Sequence, residues 1–366
     1  MTDVTELDVA FLARAASGET KPVAAWEVVS AVDRPANMTT SALERLRGTF
    51  EDGTSFSVFI KTLHPATASP MWDQIPEMFH ASVLEDLNWL DEPRVYSCGL
   101  CDDLPDGLRM PAVYRIDETP STIIMFLEDI PDSSTWDLAR YRRSARALGR
   151  LTGRWPGDRA ASEIAAPKRP IGRLFFGKIL NFDLQIMAGD DFWEDSGIAG
   201  ATDAAYRNDL RRLAERMPHL LERLDGLPQA LSHGDAAPDN LREPGDGTIA
   251  AIDWSYCSVA PVGSDLGQLL SGRIEVEGRP PGQSIALLEA VIDEYLTGLA
   301  DEGMHVARDD VRRGCITYLA VRFVFSALLL EPGSGIPDVD RLERRAALGR
   351  TGLDLALDLP GIDPAR

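Results

Sequence analysis

Residues Leu231 to Trp254 read LSHGDAAPDNLREPGDGTIAAIDW, and the spacing of the polar side chains in this stretch decides the fold. Asp235 is followed five positions on by Asn240, and Asp253 closes a short apolar run. Together they offer one base and two hard oxygen ligands of the kind that Mg²⁺ takes. Between them, Pro244, Gly245, Asp246 and Gly247 are turn chemistry, and Thr248 to Ile252 is a short apolar strand. The pattern predicts a hairpin that returns Asp253 to the side of Asn240.

The triplet His233-Gly234-Asp235, then Asn240, then Ile252-Asp253-Trp254 resembles the signature of the aminoglycoside phosphotransferase and choline-kinase-like family, small-molecule relatives of protein kinases. In protein kinases the catalytic loop reads H-R-D-x-x-x-x-N. Its Asp receives the substrate hydroxyl proton, its Asn holds a Mg²⁺, and a later Asp supplies the other metal contact. The resemblance implies an α+β, protein-kinase-like fold of two lobes: a small β-rich N-lobe over residues 1–127 and a larger, mainly α-helical C-lobe over residues 128–366. Residue by residue it implies Asp235 as the base and Asn240 and Asp253 as metal ligands, with ATP or GTP as phosphoryl donor and Mg²⁺ as the ion. It also makes His233 a packing and hydrogen-bonding residue, and gives Asp265, in the run Val262 to Gly267, the role of bracing the catalytic loop.

Working back along the chain, residues 24–31, 42–50 and 55–61 read as strands, the last two joined by Glu51-Asp52-Gly53-Thr54, whose Asp-Gly is a hairpin signal. The third strand alternates and ends at Lys61, which resembles the kinase Lys that pairs the α/β-phosphates. A strand-end Lys can also mark an exposed edge. A helix over 71–90, entered near Pro76, would carry the carboxylate partner of Lys61, with Glu77 first and Glu85 as the alternative. The segment Arg34 to Ser41 stands where a phosphate-covering loop is expected. It lacks glycine and offers the hydroxyls of Thr39, Thr40 and Ser41 instead. Ser121 to Ile130, STIIMFLEDI, resembles the strand leading to the segment that joins kinase lobes, which implies an adenine contact through the backbone of Phe126, Leu127 and Glu128.

Beyond this the pattern turns helical. Leu138, Tyr141, Ala145, Leu148, Leu151 and Trp155 share one helix face, and Tyr206, Leu210, Leu213, Met217, Leu220 and Leu224 share another. Further helices are predicted over 283–300 and 309–330, with an interhelical loop over 331–337. The acidic, partly aromatic run of Asp183, Asp190, Asp191, Trp193, Glu194 and Asp195 reads as a solvated loop that could also meet an amino sugar.

The chain has 366 residues and 44% hydrophobic composition, enough to bury a core in each of two lobes. A net charge of −21 repels nucleic-acid phosphates and anionic membrane surfaces, so neither is an expected partner. The run Tyr318 to Leu330 is interrupted by Arg322 and is too short for a bilayer core of about 30 Å. Acids near the start of the chain are unlike a secretory leader, and a cytoplasmic protein is expected. Cys98 and Cys101 form one CxxC pair with no second pair or nearby His, so reduced thiols are the expectation and a zinc site the lesser alternative.

The twelve positions from Asp253 to Asp265 leave no room for the long activation segment that builds a protein-substrate groove in protein kinases. The expected activity is therefore ATP-dependent phosphorylation of a hydroxyl on a small molecule. An antibiotic of aminoglycoside or nucleoside type stands first as acceptor. A metabolic kinase for a sugar or amino alcohol, and a catalytically silent nucleotide-binding module, are the alternatives.

Overall fold

In Ser55–Leu63, alternate side chains point to opposite faces of a strand: Phe56, Val58 and Ile60 are buried on one, while Ser57, Phe59 and Lys61 lie on the other. This strand sits at the centre of an antiparallel sheet in the computed structural model. The spatial order is Val23–Ser30, Thr40–Phe50, Ser55–Leu63, Ile123–Glu128 and Val113–Glu118. The structure describes all residues except 1, 3–4, 32–36, 133–134, 169–170, 331–337 and 361–366. The loop expected over 331–337 lies outside the described residues. Contacts divide the chain into two compact units, Met1–Asp103 with Arg109–Asp132 and Leu104–Leu108 with Ser133–Arg366, against an expected division at 127/128.

In the first unit the apolar sheet face is covered by the helix Glu6–Ser17, which brings Val9, Leu12 and Ala13 against Leu46, Phe50, Val58, Ile60 and Phe126. This helix is not among the elements expected from the sequence. Its helix signal is a capping box, in which the Thr5 hydroxyl accepts from the Asp8 amide while the Asp8 carboxylate accepts from the Thr5 amide. The Thr5 hydroxyl and then the Arg115 guanidinium hold the Asp8 carboxyl down at about 2.

The single helix expected over 71–90 is broken. Residues Trp72–Gln74 and Glu77–Phe79 form 3-10 turns, His80–Asp86 a short α-helix, and Asp91–Ser97 a separate one. Pro76 disfavours helical backbone at Ile75 and has no N–H to donate, so the chain cannot run helically through it. Asn88 then starts the next helix, accepting from the Leu90 amide and donating to Asp91. Pro93 sits in its first turn, where a missing N–H costs nothing.

The second unit is built on helices. Leu138–Arg154 packs against Pro281–Asp301 at glycine crossings, where a Cβ on Gly149 would meet the Tyr295 carbonyl at 2.2 Å and one on Gly298 the Arg146 carbonyl at 2.2 Å. The faces through Tyr141 to Trp155 and Tyr206 to Leu224 are buried as their periodicity implies, although Leu138 is exposed. The helix expected over 309–330 spans Arg308–Arg322 and ends there, because Phe323 leaves helical geometry before a 3-10 turn at Val324–Ser326. A further helix, Asp338–Leu357, lies beyond the segments read as helical. No helix of the described residues is long and apolar enough to cross a membrane.

Leu12 is fully buried under the sheet, so Leu12→Ala is expected to destabilise the protein by about 2–5 kcal/mol. Denaturant unfolding followed by circular dichroism measures this; an unchanged midpoint would show that the helix does not seal this core.

Candidate active site

The strand Gln229–Ser232 pairs antiparallel with Ser258–Pro261 and delivers the chain to His233. Asp265, buried in the first turn of the helix Ser264–Ser271, accepts from the Ser232 hydroxyl at 2.8 Å, the His233 amide at 3.0 Å and the Gly234 amide at 2.9 Å. One carboxylate thus pins three consecutive residues. Gly234 has φ +80, and a Cβ there would meet the Tyr256 carbonyl at 2.1 Å, so only glycine fits. The His233 ring is wholly buried against Trp254 at 4.5 Å. Its Nδ1 accepts from the Asp235 amide and its Nε2 donates to the Ile252 carbonyl. Both ring nitrogens are thus committed to the backbone.

The expected hairpin forms. Leu241 and Arg242 pair with Ala251 and Ala250, and the Ile252 amide donates to the Asn240 carbonyl at 2.9 Å. Asp253 follows directly, at φ +58, a left-handed conformation that few non-glycine residues adopt and that Asp tolerates better than most. Trp254, fully buried with its Nε1 donating to the Ala251 carbonyl, anchors the turn. Asn240 donates from Nδ2 to the Asp235 carbonyl at 2.9 Å and to Oδ2 at 3.1 Å. Oδ1 is the atom it has left for a cation.

This donor set suits a hard cation. Among the described residues no three His, Cys, Asp or Glu side chains gather into a metal cluster. One carboxamide and one carboxylate would leave most coordination positions to phosphate and water oxygens, as Mg²⁺ prefers when it binds with a nucleotide. Cys98 donates to the Val95 carbonyl and Cys101 is exposed; both are free thiols.

In the first unit the Lys61 ammonium, buried in the sheet, lies 2.7 Å from Glu92, which is equally buried. The ion pair therefore runs to the second short helix and not to the helix register expected from sequence. Glu77 and Glu85 are both exposed, on the far side of the break made by Pro76 and Asn88. Asp91-Glu92-Pro93 is itself a helix-start signal and could have pointed to Glu92.

The other nucleotide-binding candidates are placed less favourably. Thr40 is buried, its hydroxyl without a hydrogen-bond partner among the described residues, and Ser41 donates to the Thr62 carbonyl. Thr39 lies in the turn before the second strand, and the loop's residues 34–36 lie outside the described residues. Phe126 and Leu127 sit in a strand flanked on both sides, and the Glu128 amide donates to the Ala112 carbonyl. Their main-chain groups are committed to the sheet, so an adenine edge would have to be read by residues after Glu128. The Glu128 side chain is held by both terminal nitrogens of Arg109.

Two residues that sequence reasoning missed stand at Asp235 itself. Gln268 Nε2 donates to Asp235 Oδ1 at 2.8 Å, and Arg322 Nη2 donates to the same oxygen. No local pattern marks either residue. In the acidic run, Asp183 is buried beside Lys178, Asp190 pairs with Arg207 and Asp195 caps the helix Ser196–Ala201. Two grooves lie elsewhere, one of about 680 Å³ beside Trp26 and Arg47 and one of about 390 Å³ beside Trp136 and Arg279. Neither is walled by Asp235, Asn240 or Asp253, so the donor chemistry and not the groove volume locates the site.

A family model described as "Phosphotransferase enzyme family" matches residues 105–308, more than half of the chain. No curated protein matches in sequence. Among solved structures, an aminoglycoside phosphotransferase from Alicyclobacillus acidocaldarius is similar with a TM-score of 0.51 at 13% identity, covering 90% of this chain and 91% of that one. The aminoglycoside phosphotransferase APH(3'')-Id from Streptomyces rimosus has a TM-score of 0.46 at 18% identity, covering 87% and 98%. The choline kinase LicA from Streptococcus pneumoniae has 0.44 at 15%, covering 91% and 94%.

Because a Cβ at residue 234 has no space and an unfavourable φ, Gly234→Ala is expected to displace Asp235. The measurement is a crystal structure of the variant together with its melting temperature. A catalytic loop superposing on the parent with an unchanged Tm would contradict this account of the glycine.

Proposed function

Since the chain belongs to the phosphotransferase enzyme family and is a small-molecule kinase, we propose that it transfers the γ-phosphoryl group of ATP to a hydroxyl of a small molecule. In first place we propose an antibiotic of aminoglycoside or nucleoside type as acceptor; a sugar or amino alcohol is the second class. The observation that carries the reading is the convergence of Asp235 and Asn240 on one hydrogen-bonded loop, with Asp253 returned beside them by the hairpin.

In-line phosphoryl transfer demands position and charge compensation more than covalent chemistry. Asp235 orients the acceptor hydroxyl and takes its proton as the oxygen bonds to the γ-phosphorus. The bond to the bridging oxygen breaks, and ADP leaves with that electron pair. Asn240 and Asp253 would hold Mg²⁺, which when bound neutralises phosphate charge. Within the first unit, Lys61, kept oriented by Glu92, is the candidate phosphate contact; breaking so buried a pair leaves an uncompensated charge.

A coupled ADP-release assay against antibiotics, sugars and amino alcohols tests the reading. Acceptor-dependent ADP release supports it, turnover with metabolites alone would move the acceptor to the second class, and nucleotide binding without turnover would defeat it. Asp235→Asn is expected to lower kcat about 10²- to 10⁴-fold with ATP affinity nearly intact; wild-type turnover in the purified variant would remove Asp235 from the role of base. Asp253→Ala is expected to abolish activity and the Mg²⁺ dependence of ATP binding seen by calorimetry. Retention of that dependence would place the ion elsewhere. In a double-mutant cycle on kcat/KM for ATP, Lys61→Met and Glu92→Gln are expected to couple by roughly 0.5–3 kcal/mol, whereas additive losses would mean that the two act separately.

A further inference from the structure

Asp235 is held on both oxygens. Oδ1 receives the Gln268 amide and the Arg322 guanidinium, and Oδ2 receives the Asn240 amide. Arg322 also donates from Nε to Gln268 Oε1 at 3.0 Å, so the arginine and the glutamine form one closed triangle on the carboxylate. The guanidinium lies over the Phe175 ring at 3.9 Å and near the Tyr256 ring at 5.6 Å, and the side chain is only 8% exposed. Stacked and fork-bonded in this way, Arg322 has little rotamer freedom. It sits at the last position of its helix, where the turn at Phe323 ends the regular backbone.

An ionised carboxylate offers about four acceptor sites. Two donors fill Oδ1 and one occupies Oδ2, which leaves a single lone pair on Oδ2 for an incoming hydroxyl. The arginine's positive charge also offsets the negative charge of Asp235, so the carboxylate has little attraction left for an ammonium group. Arg322 Nη1 is buried with no hydrogen-bond partner among the described residues, a second donor beside the base that disfavours a cation there.

We propose that Arg322, with Gln268 as its relay, is the positioning residue of this site: it aims one lone pair of Asp235 Oδ2 at the acceptor and selects an acceptor whose groups around the reacting hydroxyl are uncharged. The inference rests on the kinase reading above and narrows its acceptor, favouring a nucleoside or neutral sugar hydroxyl over one flanked by ammonium groups. Proton and electron movements are those of the transfer already described, with Oδ2 as the proton's destination.

The test uses the full chain with Mg²⁺-ATP and two readouts. The first is ATP hydrolysis, with water standing in for the acceptor. Arg322→Met and, as the variant less exposed to folding loss, Gln268→Ala are expected to lower kcat at least about tenfold with KM for ATP unchanged, and Arg322→Lys to recover part of the loss. Wild-type kcat in both Arg322→Met and Gln268→Ala would overturn the positioning role, as would a rise in KM for ATP that accounts for the whole effect. The second readout is kcat/KM for matched acceptors: a neutral sugar against its amino counterpart, and a nucleoside against an aminoglycoside. Wild type is expected to prefer the neutral member of each pair, and Arg322→Met to narrow the ratio. A wild-type preference for the amino members would overturn the charge selection while leaving the kinase reading intact. Absence of both hydrolysis and transfer in wild type would sink the kinase reading, and this inference with it.

Discussion

The site depends on one buried carboxylate that does no chemistry. Asp265 collects the Ser232 hydroxyl and the amides of His233 and Gly234, and so fixes the path of the three residues before Asp235. The His233 amide would otherwise be buried without its acceptor, at a cost of about 1–3 kcal/mol. The His233 ring extends the clamp, bonding the Asp235 amide on one side and the Ile252 carbonyl on the other. The base loop and the hairpin that carries Asp253 are thereby tied through a single imidazole. Gly234 completes the constraint, since the path between clamp and base runs too close to Tyr256 for any side chain.

The first unit solves a different problem, which is to keep a cation in an apolar sheet. Lys61 shares its strand with Val58 and Ile60, whose side chains belong to the core under the helix Glu6–Ser17. A buried ammonium is tolerated only with a close counter-charge, and Glu92 supplies it. The same sheet spends the main chain of Phe126 and Leu127 on its own strand pairing.

Much of this was legible because the decisive chemistry is local in sequence. Asp235, Asn240 and Asp253 are brought together by one hairpin whose turn and strand residues announce themselves, and the apolar faces through Tyr141 to Trp155 and Tyr206 to Leu224 mark two long helices. What the sequence hid was register and distance. Glu92 is reached only after the breaks at Pro76 and Asn88, in a stretch whose periodicity reads as one helix. The helix Glu6–Ser17 was marked by its capping box, but its apolar face of Val9, Leu12 and Ala13 is short. Gln268 and Arg322 are 33 and 87 residues from Asp235, and no spacing rule connects a helix-terminal arginine to a loop so remote.

The central claim is that the hydrogen-bonded carboxylate of Asp235 presents a small-molecule hydroxyl to the γ-phosphoryl group of ATP. The most direct measurement follows the γ-phosphorus itself by ³¹P NMR in a mixture of enzyme, Mg²⁺-ATP and the acceptor panel. The account predicts a new phosphate-monoester resonance growing in step with ADP, with inorganic phosphate trailing behind it. Stable ATP, or ADP accompanied only by inorganic phosphate whichever acceptor is present, would contradict it.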